Sequence, residues 1–369
     1  MKIKNQERQN KQEQHENEHK EKKSNNNFEA SNYKKFTNYL RTYTTLENYP
    51  AIKGHDFEKF SKLCKNSDFQ EFLESFGLIG IQAANLGKGI EIVRMMQNDK
   101  PKIFLSFTSS IISSGLRDII TFLVKHKHVD VLCTSAGGVE EDVIKAIKPF
   151  VIGDFDVSGR SLFESSIGRI GNIFAPLERY AYFELFMKNF FEGILSLQKK
   201  QKNPLTPSQF ISELGKYIDS AEMNIDKESS YIYWAYKNNI PVFCPAITDG
   251  AIGDLLYFQK QSGNNIQIDV VPDHEKIVKY CLDNEKTAAI ALGGGSAKHY
   301  VLNANIFKDG LDYAVYVTTA QEFDASDSGG NPEEAKTWAK LKVDAPNVKI
   351  KAEASIVFPL LVAATFGKG

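Results

Sequence analysis

The chain has 369 residues, 42% of them hydrophobic and 11% aromatic, enough for one large or two medium domains with a real core. Its formal net charge is −1, which gives no global field favouring nucleic acid or an anionic membrane. No apolar run approaches the roughly 18 residues of a membrane-spanning helix. The cysteines are scattered and form no CxxC pair, so we expect neither a disulfide nor a metal site: Cys64, Cys133, Cys244, Cys281.

The first 27 residues are almost entirely polar, with Ile3 as the one apolar residue beyond the initiator. Such a segment cannot bury enough surface to offset its ordering entropy. We therefore expect a disordered tail over residues 1–27 and one domain over residues 28–369, with a helix that orders on assembly as the alternative for the tail. The N-terminus resembles neither a signal peptide nor a transit peptide, which predicts a cytoplasmic protein.

Helical spacing dominates up to about residue 98, and beyond it short apolar runs alternate with amphipathic segments. Each run has the length and the continuous apolar character of a strand buried on both faces. The pattern predicts an α/β fold with a doubly wound, mostly parallel, Rossmann-like sheet covered by helices on both faces. The predicted strands are Lys102–Phe107, Val129–Thr134, Phe150–Phe155, Ile240–Ile247, Ile266–Val271, Thr287–Leu292 and Tyr313–Thr318.

Small and polar residues follow five of these runs, where parallel strands would place them on one edge of the sheet. Ligands of such sheets bind at the carboxyl ends of the strands. Glycines let a backbone approach a pyrophosphate, and helix N-termini favour its negative charge. A nucleotide or dinucleotide is therefore the default occupant, although no segment carries a GxGxxG fingerprint. The segments are SFTSS, TSAGGVEE, ITDGAIGD, LGGGSAKH and VTTAQEFDASDSGG.

The last of these segments continues into NPEEAKTWAK and concentrates carboxylates, an indole and an amine: Asp324, Asp327, Glu333, Glu334, Trp338, Lys340. Carboxylates and an indole face attract cations, and a lysine can form an imine, so this stretch suggests a site for a cationic ligand. The alternative is an ordinary helix start, with an N-cap, a proline and acids in the first turn. A helix C-terminus would also favour a protonated lysine, so desolvation or a neighbouring cation would have to oppose it.

Three more polar residues belong to the same predicted edge. Asp249 and Asp254 are either turn and helix-start acids or part of an anionic surface near the amine site. His299 follows three glycines at a predicted helix start. It is either structural or a group that exchanges a proton near neutral pH.

The chain resembles the deoxyhypusine synthase family over residues 28–366. The resemblance lies in LGGGSAKHYVLNANIFKDGLDYAVYVTTAQEFDASDSGGNPEEAKTWAKLKVDA, ASIVFPLLVAATF, SSIISSG, TSAGGVEED, RIGNIFAP and IPVFCPAITDGAIGD. It implies NAD-dependent transfer of spermidine's 4-aminobutyl group to one lysine of the translation initiation factor 5A precursor. An enzyme-lysine imine would carry the group, and the products would be deoxyhypusine and 1,3-diaminopropane. It also implies a homotetramer with active sites at the dimer interface.

Site residues follow from the same resemblance. Lys340 in TWAKLKVDA is implied as the imine-forming lysine rather than Lys298, and His299 is a candidate base for the reacting nitrogen. The implied substrate-binding residues are Glu140, Glu141, Asp254, His299, Ala325, Ser326, Asp327, Glu334 and Trp338. The implied NAD-binding residues are Ser109, Ser110, Ser113, Ser135, Ala136, Gly137, Glu141, Asp249, Gly294, Thr319, Ala320, Asp324, Glu353 and Ala354.

Two of these positions depart from the family's usual form. Ser110 replaces the asparagine of TSNLISSG, and Glu353 stands where an aspartate is usual. Two other functions remain open on the sequence. Homospermidine synthases move the same group to putrescine, and a degenerate regulatory subunit would have lost the lysine that this chain keeps.

Overall fold

The computed structural model describes Leu46 and residues 49–368. Its centre is a six-stranded sheet in which every neighbouring pair of strands is parallel. The strands in chain order are β1 (Lys102–Phe107), β2 (Val131–Cys133), β3 (Val151–Ile152), β4 (Ile167–Ile170), β5 (Ile173–Pro176), β6 (Val242–Phe243), β7 (Thr287–Leu292), β8 (Tyr313–Thr318) and β9 (Asn347–Lys351). The order across the sheet is β6-β2-β1-β7-β8-β9.

Strand order reverses between β1 and β7. From β1 the chain adds β2 and β6 on one side, then returns to the other side of β1 and adds β7, β8 and β9. Lys102 to Phe107 pair in register with Thr287 to Leu292 across this boundary. A sheet with this order has a crevice at the carboxyl ends of the two central strands, where dinucleotides bind in proteins of this architecture. The predicted doubly wound fold is confirmed.

Helices cover both faces of the sheet. In the described chain they are α1 (Ser61–Cys64), α2 (Ser67–Ile79), α3 (Ile81–Asp99), α4 (Ser109–Ser113), α5 (Leu116–Lys125), α6 (Ala136–Ile147), α7 (Gly159–Glu164), α8 (Leu177–Gln201), α9 (Pro207–Ser220), α10 (Tyr231–Asn238), α11 (Ala251–Gln261), α12 (Val271–Leu282), α13 (Gly295–Asn305), α14 (Pro332–Thr337) and α15 (Ala354–Ala364). None of them combines the length and apolar character needed to cross a membrane.

Alternate residues of the strands belong to two separate apolar cores. Ile103, Leu105 and Phe107 of β1 pack in a large cluster with side chains of α3, α5, α6 and α15. Phe104 faces the opposite side of the sheet and packs with Ile277 of α12 and with side chains of α13. Both faces of β1 are therefore buried, which explains why its sequence reads as a continuous apolar run.

Two predicted strands are corrected by the structure. Phe150–Phe155 does not join the parallel sheet, because only Val151–Ile152 is extended and it pairs antiparallel with β5 in a three-stranded sheet, β3-β5-β4. Ile266–Val271 is not a strand, since Ile268 makes one isolated bridge and Val271 already begins α12. The carboxylate of Asp269 accepts a hydrogen bond from the backbone N–H of Val271 at 3.0 Å, which forms a local turn just before the helix.

The segment after β1, predicted as one helix, is divided in two. α4 ends at Ser113 and α5 begins at Leu116. Gly115 lies in the break, where an added Cβ would stand 2.4 Å from the carbonyl oxygen of Lys53. The close passage of the segment around Lys53 therefore requires glycine and separates the short helix α4 from α5. The predicted tail over residues 1–27 and the part of the predicted helical region at residues 32–43 lie outside the described residues.

Candidate active site

The acid-rich loop between β8 and α14 is held in place by two lysines from other elements. The amine of Lys298 donates to the carbonyl oxygens of Asp327 at 2.8 Å and Gly330 at 2.9 Å, and it lies 4.2 Å from the ring centre of Tyr316. The amine of Lys349 on β9 donates to the carbonyl oxygen of Gly329 at 2.6 Å. Burial, with the nearby lysines, lowers the pKa of Lys298 to about 8. Its hydrogen bonds give Lys298 a structural role in fixing the loop.

Five predicted residues line one cleft between α13, this loop and α14. They are His299, Asp327, Glu334, Trp338 and Lys340. The cleft thus combines two carboxylates, an imidazole, an indole and an amine, a set suited to binding and reacting with an organic cation.

Lys340 is anchored through its backbone while its side chain faces the cleft. Its N–H donates to the carbonyl oxygen of Ala335 at 3.0 Å, and its carbonyl oxygen accepts from Leu311 N at 3.1 Å. Its Nζ lies 6.0 Å from the ring centre of Trp338. Among the described residues, no carboxylate lies within ion-pair distance of that amine. The amine is therefore available to a ligand.

The helix start predicted at Asn331 is confirmed. Asn331 and Lys340 line the same cleft. The Asn331 side-chain oxygen accepts from Glu334 N at 2.9 Å, as an N-cap does. α14 ends at Thr337, so Lys340 lies beyond the last helical turn.

The imidazole of His299 is held through both ring nitrogens. Nδ1 lies 2.6 Å from Oδ1 of Asp327, and Nε2 lies 2.7 Å from Nδ2 of Asn303. In the neutral tautomer, Nδ1–H donates to the carboxylate and Nε2 accepts from the amide. Asn303 was missed in the sequence analysis, although it lies one helical turn after His299 on the same face of α13.

A second group of predicted residues lies where α4 and α6 meet, after β1 and β2. The hydroxyl of Ser113 donates to Oε2 of Glu141. An added Cβ at Gly137 would stand 2.7 Å from Cβ of Ser109, so the two helices approach as closely as glycine allows. Ser110 lies in the same turn, with its hydroxyl 3.2 Å from that of Thr108. Ser135 is the N-cap residue of α6 and makes no side-chain cap.

Three carboxylates lie near the N-termini of α6 and α11. Oε2 of Glu140 accepts from Ile252 N at 2.9 Å, and Oδ1 of Asp249 accepts from Ala136 N at 3.2 Å. Burial raises the pKa of Glu140, and the charges of Asp249 and Asp254 add to the effect. Within the described chain, Glu140 and Asp254 do not line the cleft of Lys340. One chain therefore separates the predicted substrate residues into two groups.

The central crevice connects these groups along one edge. An added Cβ at Gly293, after β7, would stand 2.9 Å from Cγ2 of Thr108, after β1. At the same turn, Gly295 N donates to the hydroxyl of Ser328 in the acid-rich loop at 3.0 Å. Glycines thus keep the crevice narrow and free of side chains between the α4–α6 contact and the loop.

Comparison with known proteins identifies the family. The family model of deoxyhypusine synthase matches residues 71–365. A Methanocaldococcus jannaschii protein named "Probable deoxyhypusine synthase" is 48% identical over 301 residues, 79% of this chain and 91% of its own. One of the same name from Schizosaccharomyces pombe is 41% identical over 334 residues, 86% of this chain and 93% of its own. The chain belongs to the deoxyhypusine synthase family.

A solved structure has the same fold. The crystal structure of an Entamoeba histolytica protein, whose description also names deoxyhypusine synthase, superposes with a TM-score of 0.56 at 31% identity. The match covers 85% of this chain and 96% of the other. The α/β architecture described above is therefore shared with a family member.

The other positions implied by the family resemblance lie along the same edge. Thr319, Ala320 and Asp324 follow β8, where Ala320 N donates to the Thr318 hydroxyl at 3.1 Å. The remaining positions are in the turns after β7, in the loop after β8 and at the start of α15: Gly294, Ala325, Ser326, Glu353, Ala354. The carboxylate of Glu353 accepts from Ser355 N at 2.9 Å, so in this deoxyhypusine synthase relative it caps α15.

The pKa of the Glu141 carboxyl is raised, so the stability of the protein should depend on pH. Burial and the neighbouring Glu140 raise the pKa of Glu141 to about 8, although Ser113 and Lys145 oppose the shift. The folded state then binds a proton that the unfolded state has lost, so stability falls as pH rises from about 4.5 to about 8. We expect Glu141→Gln to remove this dependence, on the order of 4–5 kcal/mol, in urea unfolding measured across that pH range.

The matched control is Glu71→Gln, which changes an exposed carboxylate on α2. It should leave the pH dependence as in the unmodified chain. An equal loss of stability with pH in the Glu141→Gln variant would show that Glu141 is ionised in the folded state.

Proposed function

We propose that this chain is an NAD-dependent deoxyhypusine synthase. It transfers the 4-aminobutyl group of spermidine to one lysine of the translation initiation factor 5A precursor, with deoxyhypusine and 1,3-diaminopropane as products. The observation that carries the proposal is the amine of Lys340 facing a cleft of carboxylates, indole and imidazole. The proposal treats residues 28–369 as one catalytic domain acting in the cytoplasm.

Substrate binding follows from charge. Spermidine is a polycation in water, so its ammonium groups require carboxylates, which Asp327 and Glu334 supply from two sides of the cleft. The indole of Trp338 adds a cation–π contact worth about 0.5–2 kcal/mol. These side chains orient the butylamine fragment toward Lys340.

The covalent steps use Lys340 and His299. His299 holds a reacting nitrogen in its unprotonated form by accepting the proton at Nε2. The Lys340 amine attacks the imine carbon of the oxidised substrate, and the bond to 1,3-diaminopropane breaks. The acceptor lysine then attacks the Lys340 imine and frees Lys340, and reduction of the new imine completes deoxyhypusine.

The cofactor would lie in the central crevice. Its hydroxyl and carboxylate partners would come from Ser109, Ser113, Glu141 and Asp249. Gly137 and Gly293 help to bring these elements together, because they allow close contacts with Ser109 and Thr108. These residues fit a dinucleotide, since they combine backbone N–H groups at helix N-termini with carboxylates suited to ribose hydroxyls. A bound NAD would supply the hydride acceptor for oxidation of the substrate carbon and the hydride donor for reduction of the final imine.

We also propose a homotetramer whose active sites lie at the dimer interface. Glu140 and Asp254 are apart from the Lys340 cleft in one chain, which supports their contribution from a second copy. Trp338 is 64% exposed and Phe323 in the adjoining loop is 86% exposed, as expected of apolar side chains that a partner covers.

The decisive experiment supplies the purified chain with spermidine labelled in the butylamine portion, NAD, and either acceptor. We expect label on the factor 5A precursor and none on a precursor whose acceptor lysine is replaced by arginine. Label entering only putrescine would identify a homospermidine synthase. No transfer by the isolated oligomer, with activity restored by a paralogous chain, would identify a regulatory subunit.

A further inference from the structure

One buried amine holds the end of the short helix α4. Lys145 on α6 is 6% exposed, and its Nζ donates to three carbonyl oxygens, of Ile112 at 2.7 Å, Ser113 at 3.0 Å and Ser114 at 2.6 Å. All three acceptors are consecutive residues at the C-terminal end of α4. An ammonium group has three N–H donors. These three hydrogen bonds therefore match the donor capacity of the Lys145 amine, and all three go to one turn of backbone.

The helix α4 needs such support. With five residues, from Ser109 to Ser113, it is shorter than helices that are stable by themselves in water. Its N-cap residue, Thr108, makes no side-chain cap. The last carbonyls of any helix lack intrahelical partners, and a cation there is favourable. Lys145 supplies three donors there, although burial and the nearby Arg117 lower the pKa of its amine to about 7.

Two anchors one helical turn apart connect α6 to the same serine. Glu141 accepts from the hydroxyl of Ser113, and Lys145, four residues later, donates to its carbonyl. At the other end of α4, Ser109 packs against Gly137 at the start of α6. The position of α4 relative to α6 is therefore set at both ends.

We propose that Lys145 is a positioning residue for the cofactor, acting through α4. The inference rests on the proposed function, because it takes Ser109 and Ser113 as cofactor contacts. Lys145 touches neither substrate nor cofactor in this role. It fixes the turn that carries both serines, of which Ser109 is half-buried and Ser113 is buried against Glu141.

The experiment compares NAD binding and local hydrogen exchange in Lys145→Met and the unmodified chain, both without substrate. Methionine keeps the length and apolar contacts of the side chain but donates no hydrogen bond. We expect the dissociation constant for NAD to rise about 10-fold or more, since hydrogen bonds of a charged group are lost. Exchange of the amides in residues 109–116 should accelerate while the amides of α9 stay protected.

Lys148→Met is the matched control, because Lys148 follows α6 and pairs with Glu178 instead of α4. It should leave NAD affinity unchanged. A Lys145→Met variant that melts at a lower temperature yet binds NAD as tightly as the unmodified chain would overturn the inference, since Lys145 would then stabilise the fold alone.

If Lys145→Met does not fold, Lys145→Gln, which keeps an amide donor, replaces it with the same expected results. Failure of both to fold would assign Lys145 to the core and reject the positioning role. If the unmodified chain itself does not bind NAD, the proposed function fails, and the exchange rates of residues 109–116 still show whether Lys145 holds α4.

Discussion

Lys340→Ala is expected to abolish aminobutyl transfer, with a loss on the order of 10⁴-fold or more, because no other amine can form the covalent intermediate there. Lys298 cannot substitute, since its amine is buried and bonded to the carbonyls of Asp327 and Gly330. Two measurements check this prediction. Label transfer to the acceptor protein should disappear, and borohydride treatment with labelled spermidine should trap no adduct on the variant.

The matched control for this variant is Lys336→Ala. Lys336 lies on the adjoining helix α14 and pairs with the exposed Glu333 at 2.7 Å. It should retain transfer and trapping close to those of the unmodified chain. NAD should bind both variants equally, because the central crevice is formed by other elements. Turnover retained in Lys340→Ala would move the covalent role to another residue or remove it from the mechanism.

Asp142→Ala is expected to cost about 3–5 kcal/mol of folding free energy, because it leaves the buried Arg117 without a counter-charge. The Asp142 carboxylate is fully buried and accepts from Nε of Arg117 at 2.7 Å. It also accepts from the Ser230 hydroxyl at 2.5 Å and from the backbone N–H groups of Tyr231 and Ile232 at 3.3 and 3.2 Å. One carboxylate thus joins α5, α6 and the start of α10.

Urea unfolding at fixed protein concentration measures this loss. Asp219→Ala is the control, since Asp219 pairs with two lysines, Lys227 and Lys237, at the protein surface. Water and salt screen those pairs, so the control should lose much less stability. Equal losses in the two variants would mean that the buried Arg117–Asp142 pair contributes no more to the free energy of unfolding than the surface pairs of Asp219.

The central strands could be predicted from sequence because both of their faces are buried. Lys102–Phe107, Thr287–Leu292 and Tyr313–Thr318 have the predicted bounds. The outer apolar runs were predicted too long. Val129–Thr134 is extended only over Val131–Cys133, and Ile240–Ile247 only over Val242–Phe243, which pairs on one side alone. The apolar character of a run does not show where the neighbouring strand ends, and therefore does not show which residues of the run pair with it.

The sequence contains a turn signal for the small antiparallel sheet, although no hairpin was predicted there. Gly171 and Asn172 separate two short apolar runs, and Gly171 has a φ of +60°. A Gly-Asn pair between such runs is typical of a hairpin. The wrong strand at Ile266–Val271 has a different cause, since Pro272 and Asp269 favour a helix start over an edge strand.

The residue types that line the cleft could be predicted from the sequence more completely than their spatial arrangement. Trp338, Lys340 and the nearby acids are close in sequence, so one loop and one short helix bring them together. Asn303 and Lys145 were missed because helical spacing shows which residues share a face but not which distant group each one meets. The separation of Glu140 from the Lys340 cleft also has no local signal, since it depends on how distant elements of the chain pack.

The two lysines that hold the acid-rich loop bear on the thermodynamics of ligand capture. Because the amines of Lys298 and Lys349 already fix the carbonyls of Asp327, Gly329 and Gly330, the conformational entropy of this loop is lost during folding rather than during ligand capture. Under the proposed function, an incoming polyamine would therefore meet carboxylates at set distances. Selection among polyamines of equal charge should then depend on the spacing of their nitrogens.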